Sequence, residues 1–336
     1  MIDSRLQRFL RSPVVWPLAG LALLLVVNLI HNPDFLKIGV LEGHLFGAPV
    51  DIFNQGARTF VVALGMTLVI ATGGVDLSVG SVMAVAGATA GLCITSGHTS
   101  LPLVLAATLG AGALAGLLNG ILVAYAGVQP IVATLILMVS GRGIAQFVAH
   151  GDVLLIKHPG FEYLGKGFLL GLPFAAILAG LLYLVAQAAL RRTAAGLFIE
   201  AVGDNPVASR FAGLATARMK CLAYLLCGLC AALAGAMDAA NIGAADPYRS
   251  GENMELDAIF AVVVGGTALN GGRFTLAGTF AGVLLLQTLS PTLVFLGVPP
   301  PVASVPKAIL ILVVCVLQSD RAGRWLRGLL PKKEVA

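Results

Sequence analysis

RRTAAGLFIEAVGDNPVASRFAGLATARMK, from Arg191 to Lys220, is the one long polar and basic interruption in a chain that is otherwise apolar enough for lipid. Working outward from it, both flanks break into hydrophobic runs of membrane length. The 336 residues are 58% hydrophobic and 11% charged, with a mean hydropathy of +0.95. Water-soluble domains carry about a quarter charged residues. A soluble core could not hide this much apolar surface, so the chain reads as an all-α, polytopic transmembrane helical bundle. The 41 glycines fit that class, because small residues let membrane helices approach closely.

Apolar runs of about 20 residues predict about ten spans, near 14–31, 51–72, 77–96, 101–126, 131–149, 168–190, 219–241, 257–269, 275–296 and 303–318. The first run is too long for a cleavable signal and is expected to be retained. With the N-terminus placed in the cytoplasm, inside segments hold Arg5, Arg8, Arg11, Arg191, Arg192, Arg210, Arg218, Lys220, Arg273, Arg321, Arg324, Arg327, Lys332 and Lys333. Outside loops hold only Lys37, Lys157, Lys166 and Arg249. The positive-inside rule then puts both termini in the cytoplasm. Residues 1–13 and 319–336 become cytoplasmic tails, and 14–318 a transmembrane domain whose cytoplasmic loop is 191–218. The pI near 9.1 reflects this asymmetry, not a nucleic-acid partner. VDLSVGSVMAVAGAT (75–89) is weakly echoed by LDAIFAVVVGGT (256–267). The two would enter from opposite sides, as an inverted repeat of spans 2–5 and 7–10 requires.

Few residues in the spans are polar. Asp76 follows Gly73-Gly74 at membrane depth, where an ionised carboxylate costs about 2.5–3.5 kcal/mol. A cap on the next helix satisfies it, and Asp257 fits the same description. The functional alternative makes either a proton or ligand site. Arg142 lies between Gly141 and Gly143, which let a neighbour bring carbonyls close; structural pairing and a pathway role both stand. Arg58 and Lys307 lie near span ends and are expected to snorkel. Asn54, Asn119, Gln146, Asn241 and Gln287 could line a path for a hydroxyl-rich solute, although each alone fits an interhelical hydrogen bond. Gly112, Gly116 and Gly120 form a helix-contact stripe. Cys227 and Cys230 share a helix face and are read as packing groups.

The central loop carries helix punctuation. Asn205 suits an N-cap, Pro206 the first helical position, and Gly213 the position after the end. A helix this short needs packing, on lipid or on a partner, to persist. The shaping glycines Gly196 and Gly203 favour a partner. There is no phosphate-binding G-x-x-x-x-G-K-[ST], no H-E-x-x-H, and no metal pattern around His150 or His158. The chain therefore reads as neither an enzyme nor a holder of its own cofactor or metal.

TGGVDLSVGS (72–81), VQPIVATLILMVSGRG (128–143), AVGDNPVASRFAGL (201–214) and ELDAIFAVVVGGTALNGG (255–272) carry a resemblance to a known family. In this order they are similar to the permease subunits of bacterial ABC sugar importers, of the ribose, xylose and galactose type within the branched-chain amino acid and sugar permeases. The resemblance covers roughly residues 50–320, and at 45–57 and 66–89 it is strongest to the galactofuranose branch. It implies import of a monosaccharide across the inner membrane by alternating access. It also implies cytosolic ATPases that bind the ATP, a second permease (identical or paralogous) and a periplasmic sugar-binding protein, all within membrane lipid. The family's coupling segment would place Gly203, Asn205, Ala208 and Gly213 at the ATPase contact. Asp204 departs from the usual Asn or Ile before that Asn, and Val75 from the usual Ile. The rival reading is a proton-coupled secondary sugar transporter.

Overall fold

The computed structural model describes residues 14–41, 43–98, 100–299, 302 and 304–318. The two expected tails, with their basic residues, lie outside the described residues. Thirteen helices are described. They are α1 (Val15–His31), α2 (Ala48–Ala71), α3 (Val79–Thr95), α4 (Leu101–Ala124), α5 (Pro130–Val148), α6 (Pro159–Lys166) and α7 (Phe174–Arg192), then α8 (Ala194–Asp204), α9 (Pro206–Phe211), α10 (Thr216–Ile242), α11 (Met254–Val264), α12 (Leu276–Phe295) and α13 (Ser304–Gln318). Prolines at the first turns of α2, α4 and α5 preset the helical φ where no N–H partner is lost. Among the described residues, α2, α4, α5, α7, α10 and α12 are the six helices long and apolar enough to cross a membrane.

Three two-stranded antiparallel pairs trim the loops. β1 (Gly39–Leu41) pairs with β2 (His44–Phe46), with Gly39 opposite Phe46. β3 (Leu154–Leu155) pairs with β6 (Ala244–Ala245), which joins the loop after α5 to the loop after α10. β4 (Phe168–Leu169) pairs with β5 (Leu172–Pro173). This last hairpin turns at Leu170 and Gly171, both at positive φ. It takes residues that the expected span 168–190 assigned to helix, so α7 begins at Phe174. The expected span 257–269 is also corrected: α11 runs Met254–Val264 and stops at Gly265-Gly266, where Gly266 takes φ +90°. Two helices are additions. His158 caps α6 by accepting from the Phe161 N–H at 3.1 Å, and Thr193 caps α8 by accepting from the Ala195 N–H at 3.2 Å.

Helices α2 and α10 form the middle of the core. The glycine stripe of α4 lies along α10. A Cβ placed on Gly116 would stand 3.0 Å from Leu225 Cα and 3.1 Å from Gly228 Cα. Gly120 faces Cys221 in the same way, and Gly112 faces Ala232 and Gly228. On the other side of α10, Cys227 and Cys230 close around Gly65 of α2. The cysteine spacing is thus one helical turn packed against a glycine.

Two ion pairs replace the expected snorkelling. Arg58 of α2 pairs with Asp238 of α10, their side chains 17% and 14% exposed. Ser250 Oγ donates to the other Asp238 oxygen at 3.1 Å. Lys307 of α13 reaches Asp257 of α11 at 3.0 Å. An enclosed carboxylate needs a cation or hydrogen-bond donors, and a long basic chain that can reach one has no reason to stretch toward headgroups.

Gly116→Leu is expected to force α4 away from α10, at about 1–3 kcal/mol for overpacking. The thermal unfolding midpoint of detergent-solubilised protein should fall. Gly110→Ala, on the same helix with open space around it, should leave that midpoint unchanged. Arg58→Ala strands a largely enclosed carboxylate and should cost about 3–5 kcal/mol. The double change Arg58→Met with Asp238→Leu should recover most of it by the same measurement, and a double variant as unstable as the single one would refute the pairing account.

Candidate functional site

Between α2 and α3 the chain leaves helical geometry for residues 72–78. Gly73, at φ +80°, supplies the reversal that ends α2. Asp76 then lies 1% exposed. Its Oδ1 accepts from the Ser78 N–H at 2.9 Å and the Ser78 hydroxyl at 2.6 Å. Asn119 of α4 donates to Ser78 Oγ at 2.9 Å and leans on Asp76 at 3.4 Å. Tyr224 of α10 donates to the Val75 carbonyl at 3.3 Å, and Ser81 returns to the Ser78 carbonyl at 2.8 Å. Asp76 therefore satisfies the N-cap residue Ser78 rather than the donors inside the first turn. It joins the start of α3 to α4 and α10. Among the described residues the Asn119 Oδ1 atom in this knot accepts no hydrogen bond.

The other singled-out residues spread through the bundle. Asp257 is not a cap, because Asn253 occupies the cap position of α11 without a side-chain bond; Asp257 is the partner of Lys307. Arg142 donates to the Ser250 carbonyl at 2.5 Å and to the Tyr248 carbonyl at 3.5 Å, so a close neighbour does bring carbonyls to it. Gln287 donates to Thr59 at 2.8 Å and borders a cleft with Asp51, Gln55 and Ser290. Asn54 is half-buried on α2, Gln146 on α5, and Asn241 on α10 against Gly165. They form no single polar file. Asp238, Glu252 and Glu255 are the charges that the sequence reading missed here. Asp238 had a signal, since it sits in the apolar run AGAMDAAN and obeys the rule that singles out Asp76.

The elbow of α8 and α9 lies beside the end of α2, where the 72–78 stretch begins. Asn205 caps α9, accepting from Val207 N–H at 3.1 Å and Ala208 N–H at 2.9 Å. Ser209 Oγ donates to the Ala201 carbonyl at 2.8 Å, folding α9 back on α8. Gly213 takes φ +87° just past the helix, in open space. The outward face carries Pro206, Ala208, Val207 at 65% exposure and Phe211 at 89%. Gly203 is not on that face. It is buried against the Ala71 carbonyl and the Gly272 N–H, and Gly272 N–H donates to Ala71 at 2.9 Å. Gly203 therefore seats the elbow on the ends of α2 and of the α11–α12 loop.

A groove of ≈ 520 Å³ between α2, α7 and α12 is walled by side chains such as Phe53, Phe60, Leu184 and Phe280. It offers a polar solute almost nothing to bond.

The chain is 46% identical to the galactofuranose transporter permease protein YtfT of Escherichia coli (strain K12), over 96% of this chain and 94% of that protein. It is 38% identical to the ribose import permease protein RbsC of Bacillus subtilis (strain 168), over 91% and 92%. It is 36% identical to the fructose import permease protein FruF of Bifidobacterium longum (strain NCC 2705), over 95% and 91%. No solved structure matches it. The family model for the permease component of the branched-chain amino acid transport system matches residues 48–315, and by that match and these relatives the chain belongs to this permease family.

Proposed function

We propose that this chain is the translocating subunit of an ATP-driven importer that carries a monosaccharide across the bacterial inner membrane. The single observation that carries the reading is the elbow. A six-residue helix, capped and braced from behind, holds Val207 and Phe211 out into solvent. Such apolar exposure on an otherwise basic loop supports reading it as a docking surface. The three relatives named above are each described by import or transport of a sugar, which supports the cargo class. Galactofuranose, from the relative at 46% identity, is the first candidate.

In this reading α1–α5, α7 and α10–α13 are ten spans, α6 lies outside, and α8 and α9 lie in the cytoplasm with both tails. The repeat would be α2–α5 against α10–α13. In its favour, α3 and α11 are both short, and Gly80 at the start of one touches Gly251 just before the other. The partners are cytosolic ATPases that hold the ATP, a second permease (a copy of this chain or a paralogue) and a periplasmic sugar-binding protein. Asn205, Ala208 and Gly213 shape the ATPase contact while Gly203 anchors it. ATP-driven closure moves α9, and the bundle changes the side to which it opens. Asp76 and Asp257 hold the broken helices in place.

Phe211→Asp should abolish co-purification of the ATPase while leaving membrane insertion and yield normal. Asn205→Ala, which loses a cap of about 1 kcal/mol, should weaken it. In proteoliposomes, sugar uptake should require ATP and the ATPase. Uptake driven by a proton gradient without them would instead support the secondary-transporter reading through Asp76 or Asp257. Labelling of Phe211→Cys by a membrane-impermeant thiol reagent in intact cells would contradict the orientation.

A further inference from the structure

Away from α9, the segment between α10 and α11 turns back into the bundle. Its Ser250 carbonyl is held by Arg142, which lies six residues before the end of α5, about 9 Å along the helix. Its Ser250 hydroxyl is held by Asp238, four residues before the end of α10. Gly251 meets Gly80, the second residue of α3, backbone against backbone. Asn253 then adopts φ +60°, an uncommon conformation for a residue with a side chain, and α11 starts at this depth.

A cleft of ≈ 370 Å³ opens on the flank of the bundle beside that start. It is lined by Ser81, Val139, Arg142, Glu252, Asn253 and Glu255. Glu255 reaches toward Gly80, where an added Cβ would stand 2.5 Å from Oε2; the glycine makes room for the carboxylate. Glu252 and Asn253 are exposed, and Arg142 and Glu255 half-buried. Charged side chains open to their surroundings at this depth do not face hydrocarbon; they face water in a cavity or path. Two carboxylates, a guanidinium and an amide within one small cleft can accept from and donate to neighbouring hydroxyls at once. The volume falls in the range of small-molecule sites. The apolar groove at α7 lacks such groups, and the cleft under α9 presents Arg210, Arg218 and Lys220, a set suited to anions.

We propose that this cleft holds the sugar in transit through hydrogen bonds to its hydroxyl groups, with Glu255, Asn253 and Arg142 as the contacts. The proposal rests on the importer reading above. Arg142 also carries the backbone of the dipping segment, so Glu255 and Asn253 provide the cleaner tests.

The complete importer, with its ATPase and binding protein, is reconstituted in proteoliposomes and supplied with radiolabelled D-galactose, whose solution holds the furanose form at equilibrium, and with D-ribose, D-fructose and L-arabinose. The unmodified complex should take up at least one of them. Glu255→Gln should cut that uptake about tenfold or more, as loss of a charge-assisted hydrogen bond does, with ATPase co-purification and thermal midpoint unchanged. Val139→Cys should react with a water-soluble thiol reagent above the background of the unmodified chain, and the transported sugar should slow that reaction. If Glu255→Gln does not fold, the Val139→Cys protection decides alone. Undiminished uptake by both Glu255→Gln and Asn253→Ala, or a Val139→Cys that stays unreactive, overturns the cleft while the importer reading stands. An unmodified complex that moves none of the four sugars overturns the importer reading and the cleft with it.

Discussion

Hydrocarbon offers no hydrogen bonds, so each charge inside this bundle must find a partner within the chain or face water. That constraint arranges the molecule. Arg58 finds Asp238 across 180 residues of sequence, and Lys307 finds Asp257 across 50. Asp76 accepts instead from the donors of Ser78 and Asn119. Each solution joins helices that are far apart in sequence. The ion pairs link α2 to α10 and α11 to α13, and the Asp76 knot links α3, α4 and α10.

The apolar remainder is held by close approach. Lipid tails are as apolar as leucine, so burying leucine between helices gains little in a membrane, and fit decides association. The glycines of α4 let its backbone lie on α10, and Gly65 lets α2 lie on the Cys227–Cys230 turn. With α10 gripped on two sides, the irregular stretch at 72–78 can run inside the protein without reaching lipid. Irregular backbone at membrane depth is tolerated only where protein or a water-filled cavity surrounds it.

The parts that read directly from sequence are those with a local cause. Apolar runs marked most helices, the Gly112-Gly116-Gly120 spacing marked the α4 contact, and Asn205-Pro206 with Gly213 marked both ends of α9. What escaped has a distant cause or a competing one. The ion pairs depend on which helices become neighbours, so Arg58 and Lys307 looked like interfacial residues. Helix α8 hid in a stretch that looked like loop, because its basic flanks masked the apolar Leu197, Phe198, Ile199 and Val202 of an amphipathic helix. Helix α11 is shorter than its hydrophobic run, since Gly265-Gly266 ends it against α12 before the apolar residues finish. Glu252 and Glu255 looked like loop acids until the segment carrying them was seen to dip inward.

Four glycines meet where the elbow joins the bundle. Gly203 of α8 lies on Ala71 and Gly272, while Gly271 lies on Gly73 and Gly203. The nearest neighbours of Gly203 and Gly271 here are main-chain atoms, so main chain rests on main chain. A lever seated this way has almost no slack. A displacement of its tip is delivered to the first half of the chain at residue 71 and to the second half at residue 272 in the same instant. Two fulcrums on one rigid arm would oblige both halves to tilt in step.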